Sequence, residues 1–238
     1  MSVTRGRLIV FEGPEGVGKT TQLALLGEWL DERSVRHTRV REPGGTPLGN
    51  EIRRLLLDPA NEIDARAEAL LFMASRAALL DRVVAPAIAH GELVLADRFF
   101  LSTYAYQIAG RGLPESEIRS TNHFATSGLV PDLTLLFNAP AAERGNRQQL
   151  RGSSDRIEDA GAEFHARVAD AFATFLSPAW QSDHPECGPI VAVDACGEPR
   201  EVLERVVDVL AARWPETFSV LDGSHRMIQS ASDRAVRS

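Results

Sequence analysis

The sequence predicts an α/β fold, a five-stranded parallel sheet between two layers of helices, in one domain over residues 1–216. Two observations predict it. Five short strand patterns alternate with helical patterns along the chain, the order that builds parallel strands joined by crossover helices. The first run also ends in a glycine-rich turn, Gly13-Pro14-Glu15-Gly16-Val17-Gly18-Lys19-Thr20, that opens directly into a helical pattern.

Leu8-Ile9-Val10-Phe11 is the first strand, and Thr21 to Leu30 follows it with Leu23, Leu26 and Leu30 at helical spacing. Arg36 to Val40 predicts the second strand. The Arg41-Glu42-Pro43-Gly44-Gly45-Thr46-Pro47 stretch after it is too dense in glycine and proline for a helix and predicts a shaped loop. Asn50 to Leu57 and Ala65 to Leu80 carry helical patterns, the second with Leu70, Phe72, Met73, Ala77 and Leu80 as expected buried positions. Leu93 to Ala96 is a continuous apolar run of the kind covered on both faces, and it ends in Asp97-Arg98.

Helical stretches over Ser102 to Ile108 and Glu115 to Thr126 lead to a fourth strand at Asp132 to Phe137. Ala141 to Arg151 is polar and arginine-bearing, Gly161 to Leu176 is amphipathic, Ile190 to Val193 is the last strand, and Arg200 to Arg213 is the closing helix. No repeat or internal boundary interrupts this order. Residues 217–238 are rich in Ser, Asp and Arg and are expected to form a mobile tail; the other reading is that Phe218, Val220 and Leu221 dock on the body or on a partner.

The Gly13–Thr20 turn has the Walker A form. Its glycines let backbone N–H groups close around phosphate oxygens, and the helix N-terminus adds its positive dipole end. Lys19 would reach the β- and γ-phosphates and Thr20 a Mg²⁺ ion. Lys19 is the one lysine of the chain, so the other 25 of its 26 basic residues are arginines. A slim ammonium fits inside a phosphate loop where a broad guanidinium fork does not.

A net charge of -7 argues against non-specific nucleic-acid binding, so any anion site must be assembled from a few placed arginines. Met1 to Arg7 lacks the apolar segment of a signal peptide, because Glu12 interrupts the run that follows. No segment approaches the roughly 18 apolar residues of a membrane helix. Cys187 and Cys196 lack metal-type spacing and read as free thiols of a reducing cytoplasm, and the six histidines form no metal pair.

A phosphate loop says only that a nucleoside triphosphate is held. An N-K-x-D guanine-reading element is impossible with Lys19 the sole lysine, which weighs against a GTPase switch. Transfer to a second molecule needs an acceptor pocket and a cationic lid that keeps water out. Arg144, Arg147, Arg151 and Arg156 crowd one polar segment and fit such a lid over residues 141–160, the alternative being a solvated helix face. Asp97-Arg98 sits at the carboxyl end of a strand, where open α/β sheets place ligands, or else is a structural ion pair at a strand end.

Four ordered motifs then carry a family resemblance. They are Phe11 to Gln22, Arg41 to Gly49, Asp97-Arg98 with Ser102 to Gln107, and Arg151-Gly152-Ser153-Ser154-Asp155-Arg156-Ile157-Glu158. Over residues 7–212 the chain resembles the bacterial thymidylate kinases. The resemblance implies a P-loop NTPase fold of the nucleoside monophosphate kinase type, transfer of a phosphoryl group from Mg-ATP to dTMP, and a homodimer. A kinase of other base specificity and a regulatory nucleotide-binding module are the competing readings.

The resemblance also implies roles for particular residues. Gly13, Pro14, Glu15, Gly16, Val17, Gly18, Lys19, Thr20 and Thr21 would hold the ATP phosphates, and Thr20 and Asp97 the Mg²⁺. Glu15 would meet the acceptor's 3′-hydroxyl, Phe72 would stack on thymine, and Arg76, one turn later on the same helix face, would donate to a thymine carbonyl. Arg98 would hold the acceptor phosphate with Arg53 as a second cation, Thr103 and Gln107 would contact the base, and Tyr106 would crowd the 2′ position. Arg151 is the first choice for catalytic lid arginine, with Arg147 and Arg156 behind it. Two departures from the family pattern are Gln149, where a further basic residue is expected, and Asn138, which replaces an acid after the fourth strand.

Overall fold

The computed structural model describes residues 5–149 and 155–222. Five strands, β1 (Arg7–Glu12), β2 (His37–Arg41), β3 (Leu93–Asp97), β4 (Leu133–Asn138) and β5 (Ile190–Asp194), form one sheet in the order β2-β3-β1-β4-β5, with every pairing parallel. Register lines up the carboxyl ends. Phe11 pairs with Asp97, Arg41 with Asp97, and Asn138 with Asp194, so the loops that follow all open on one edge.

Alternate side chains of β1 serve two cores. Leu8 and Val10 face one, with Val94, Phe100, Tyr104 and Phe172; Ile9 and Phe11 face the other, with Leu26, Leu135, Phe137 and Val206. Each such side chain contributes about 1.5–3 kcal/mol on burial. The helices that cover these faces include α1 (Lys19–Asp31) and α10 (Pro199–Arg213) on the second core. On the first core lie α3 (Ala65–Leu79), α4 (Ala85–Ala89), α5 (Phe100–Thr103) and α8 (Ala162–Thr174), and α2 (Pro47–Leu57) and α6 (Glu115–Thr126) pack against α3. The α7 helix (Ala141–Gln149) follows β4, and α9 (Pro178–Asp183) precedes β5.

The shaped loop after β2 ends one residue earlier than expected. Thr46 caps α2 by accepting from the Gly49 N–H at 2.9 Å, with Pro47 in the first turn, where its missing N–H costs nothing. Two helical stretches contain wider turns. Leu80–Val84 is a π turn just ahead of Pro86, whose ring would crowd the carbonyl of a regular helix, and Tyr104–Gly110 is a second one that borders the site described below. Leu70, expected inside, is 59% exposed.

Residues 215–222 form α11 (Pro215–Asp222) rather than loose chain, so the expected tail start at residue 217 is too early. Phe218 is fully buried against Trp29 and Trp214 at ring separations of 6.0 and 6.4 Å, in agreement with its docking alternative. Side chains of Val220 and Leu221, and all of residues 223–238, lie outside the described set. Phe218→Ala is expected to cost about 3–5 kcal/mol, the range for deleting a fully buried ring. Urea denaturation reads this directly; a loss under about 1 kcal/mol would mean the docking contributes little to the fold.

Candidate active site

The Gly13–Gly18 turn joins β1 to α1. Gly13 has φ 139°, and a Cβ there would lie 2.5 Å from the Phe137 carbonyl oxygen, so the close approach of the loop to β4 requires glycine. Lys19 folds back over the loop and donates to the carbonyls of Gly13 (2.8 Å) and Pro14 (2.9 Å). It is only 6% exposed. Burial, reinforced by the like charge of Arg98, lowers its pKa to about 7 against the pull of Asp97, Glu15 and Glu12. A cation held in this state gains strongly from an arriving polyanion.

Beside it, the Thr20 hydroxyl donates to the Asp97 carboxylate at 2.6 Å, joining the start of α1 to the end of β3. Both residues border the same cleft, and their hard oxygens suit Mg²⁺. Among the described residues no three His, Cys, Asp or Glu side chains cluster as a metal cage.

Arg98 occupies the left-handed region at φ 74°, its N–H bonded to the Phe11 carbonyl at 3.0 Å. Its guanidinium donates to Ser102 Oγ (2.9 Å) and Glu15 Oε1 (2.9 Å) and stands 5.1 Å from the Tyr106 ring centre. Tyr106 also donates its hydroxyl to Glu15. Burial works against the Glu15 charge, but Arg98, Lys19 and the Tyr106 hydroxyl outweigh it and hold the carboxyl below its ordinary range. Beneath this group, fully buried Glu12 accepts from the N–H groups of Phe99 (2.7 Å) and Ser102 (2.9 Å) and from the Ser102 hydroxyl (2.8 Å). Glu12 thereby fixes the turn that aims Arg98.

A cleft of about 210 Å³ brings this loop together with the other expected residues. Gly16, Lys19, Thr20, Asp97 and Arg98 border it, and so do Phe72, Arg76, Thr103, Tyr106 and Gln107. Arg53 also borders it, donating to the Pro43 carbonyl at 3.0 Å, and burial together with nearby Arg41 lowers its pKa. The like charges of Arg41 and Arg98 bear on Arg53 here, so an arriving anion would be favoured at this part of the cleft.

Arg76 is placed in the cleft wall but all five of its N–H groups have partners. It forks onto buried Glu42 (Nε at 2.8 and 3.0 Å), and donates to Thr103 Oγ1 (3.0 Å), Asn122 Oδ1 and the Phe99 carbonyl (2.8 Å). Its first role in this structure is to tie together α3, the loop after β2, the turn after β3, and α6. A free donor aimed at a base, as the resemblance implies, is not what the geometry presents.

The lid arginines separate. Arg147 donates to the carbonyls of Val17 (3.2 Å) and Ala195 (3.1 Å), bridging the phosphate loop and the loop after β5. There it borders a second cavity of about 330 Å³ with Gly18, Thr21, Gln22, Gly197 and Pro199. Arg156, expected among the phosphate ligands, is not brought to the phosphate loop; it donates to the Leu56 carbonyl (2.7 Å) and to Glu68 (2.7 Å). Arg151 lies outside the described residues.

Sequence reasoning missed Glu12, Glu42, Glu68, Asn122 and the Gly197–Pro199 corner. An acidic residue closing an apolar strand, as at Glu12, was an available signal, since a buried carboxylate must find donors.

An all-parallel sheet with a phosphate loop after β1 and a cleft at the carboxyl ends of the strands defines a P-loop NTPase fold with room for a second substrate. Residues 11–180 match the family model described as thymidylate kinase. The chain is 52% identical to a thymidylate kinase of Gloeobacter violaceus over 71% of this chain and 81% of that protein. It is 45% identical to one of Clavibacter sepedonicus over 83% and 90%, and 41% identical to one of an Exiguobacterium species over 87% and 95%. The chain belongs to the thymidylate kinase family, and so is a kinase, an enzyme of phosphoryl transfer.

Proposed function

We propose that this protein transfers the γ-phosphoryl group of Mg-ATP to dTMP, giving ADP and dTDP, with the residues of the cleft in the following roles. The observation that carries the reading is that one cleft is bordered both by the phosphate loop with Lys19 and Thr20 and by Phe72, Tyr106 and Gln107. Phosphoryl donor and an aromatic-bearing acceptor thus meet within one site.

The P-loop N–H groups and Lys19 bind the donor phosphates, and Arg147 closes on them from the 330 Å³ cavity, which takes the donor's base. Thr20 and Asp97 hold Mg²⁺, which when bound neutralises charge on the transferring phosphates. Arg98 and Arg53 bind the acceptor phosphate; Glu15 accepts from the sugar hydroxyl; Phe72 stacks on the base; Thr103 and Gln107 meet its edge; Tyr106 crowds the 2′ position. No general base is needed. A phosphate monoester has a second pKa near ~6 and is largely dianionic at neutral pH, so the demand is to bring two anions into line. Lys19, Arg98 and lid arginines, Arg151 first among them, meet that demand.

A compound joining adenosine and thymidine 5′ to 5′ through five phosphates should compete with both ATP and dTMP. Competition with only one substrate would separate the two sites and end this reading. Arg147→Ala is expected to raise the KM for ATP about tenfold, the equivalent of one charged hydrogen bond, and to leave that for dTMP unchanged. Steady-state kinetics with each substrate varied checks it.

A homodimer and a cytoplasmic location complete the proposal. Helices α2, α3 and α6 pack side by side and expose Leu48, Leu55, Leu70 and, at 86%, Phe124, apolar surface of the kind a second copy covers. No helix among the described residues is long and apolar enough to cross a membrane, and Cys187 and Cys196 are free. Sedimentation of the wild type against a Leu70→Glu, Phe124→Glu variant tests the dimer; unchanged mass would remove these helices from the interface.

A further inference from the structure

Behind the base-facing part of the cleft lies a buried carboxylate that the mechanism does not use. Glu68, on α3, is 1% exposed. Its Oε2 accepts from Arg111 Nη2 (2.9 Å) and Arg156 Nη2 (2.7 Å), and its Oε1 from Arg111 Nε (3.1 Å) and Gln107 Nε2 (3.2 Å). Burial opposes its charge, but the hydrogen bonds of Arg111 and Arg156 outweigh that and hold the carboxyl below its ordinary range. An ionised carboxylate has no proton to give, so the only end of the Gln107 amide that can face it is the NH₂. This settles the amide's orientation by chemistry, since oxygen and nitrogen are otherwise interchangeable in shape. With Nε2 committed to Glu68, Oε1 is the end left for the cleft that Gln107 borders.

We infer that Glu68 is a positioning residue that sets base specificity: by fixing the Gln107 amide with its carbonyl oxygen toward the cleft, it selects a pyrimidine that offers a ring N–H over one that offers a ring-nitrogen lone pair. Thymine and uracil carry a proton on N3; cytosine carries a lone pair there. A carbonyl oxygen accepts from the first and repels the second. Glu68 exerts this choice without touching the substrate. The same carboxylate fastens Arg156, at the end of the lid segment, so one buried group holds both the base reader and the lid's anchor. The inference rests on the acceptor site proposed above.

The test is the ratio of kcat/KM for dTMP to that for dCMP in the full chain carrying Glu68→Gln. A glutamine there directs its oxygen to the two guanidinium donors on the Oε2 side and its NH₂ to the Oε1 side. Gln107 then turns its own oxygen inward and presents NH₂ to the cleft. The ratio is expected to fall about tenfold or more, the equivalent of one exchanged hydrogen bond. Arg111→Met, which loosens the same cluster but leaves the carboxylate facing Gln107, should keep the wild-type ratio. Should the single variant fail to fold, Glu68→Gln with Arg111→Met removes the donor that the new amide would oppose and carries the same expectation. A folded Glu68→Gln protein with an unchanged ratio overturns the inference, as does an Arg111→Met protein whose ratio falls equally. Wild-type enzyme that uses dCMP as well as dTMP, or Gln107→Met enzyme that keeps the full preference, would instead defeat the acceptor-site reading beneath it.

Discussion

Lys19→Met is expected to lower turnover by about 10²–10³-fold while the protein stays folded with a thermal midpoint within a few degrees of wild type. The lysine is nearly enclosed, its charge is disfavoured by burial and by Arg98, and among the described residues it hydrogen-bonds to two loop carbonyls. Methionine fills the same stem volume without a charge to desolvate, so the fold loses little. On the proposed reading, the transferring phosphoryl group loses a cation. Activity within a few-fold of wild type would show that the charge at this position is not what the reaction draws on.

Arg76→Ala is the substitution expected to harm the fold most. The Arg76–Glu42 pair has both side chains at 5% exposure or less, and removing one partner of such a pair costs about 3–5 kcal/mol because the other charge stays buried. Thr103, Asn122 and the Phe99 carbonyl lose their donor in the same change. Denaturant titration should register the full loss, and at low temperature the folded fraction should bind dTMP weakly and ATP nearly normally. Arg76→Lys keeps a charge but not the fork, and should recover only part of the stability. An Arg76→Ala protein of wild-type stability with weakened dTMP binding would restore the simple picture of a free donor to the base.

The difference between those two arginine roles shows where sequence reading reached its limit. The strands, their parallel order and the loop at Gly13–Thr20 were legible because apolar continuity and glycine spacing are local properties of the chain. Phe72, Arg98, Tyr106 and Gln107 were gathered into one site by the family resemblance, and all four border one cleft. Arg76 and Arg156 were expected to be ligands of substrate on the strength of the family resemblance. Their partners Glu42 and Glu68 lie 34 and 88 residues away, and no local pattern encodes such pairings. Glu12 was seen as a break in an apolar run and as part of a motif, with no role of its own, whereas its burial makes it the acceptor that shapes the Arg98 turn. The two π turns were hidden for a related reason, since hydrophobic spacing does not separate π from α winding within a turn or two.

Phe218 belongs with these. Its burial depends on a distant ring, Trp29, as well as on Trp214 four residues before it, and on the core cluster around them. The body of the domain therefore includes α11, and the helix pins the end of α10 to the core that supports the phosphate loop.

The most direct test of the whole account is ADP formation by the wild-type protein with Mg-ATP and a panel of acceptors: dTMP, dUMP, dCMP, dGMP and thymidine. The account predicts the highest kcat/KM with dTMP, lower values with the other nucleotides, and little turnover of thymidine, which has no phosphate for Arg98 and Arg53. Equal or better turnover of dGMP would contradict it.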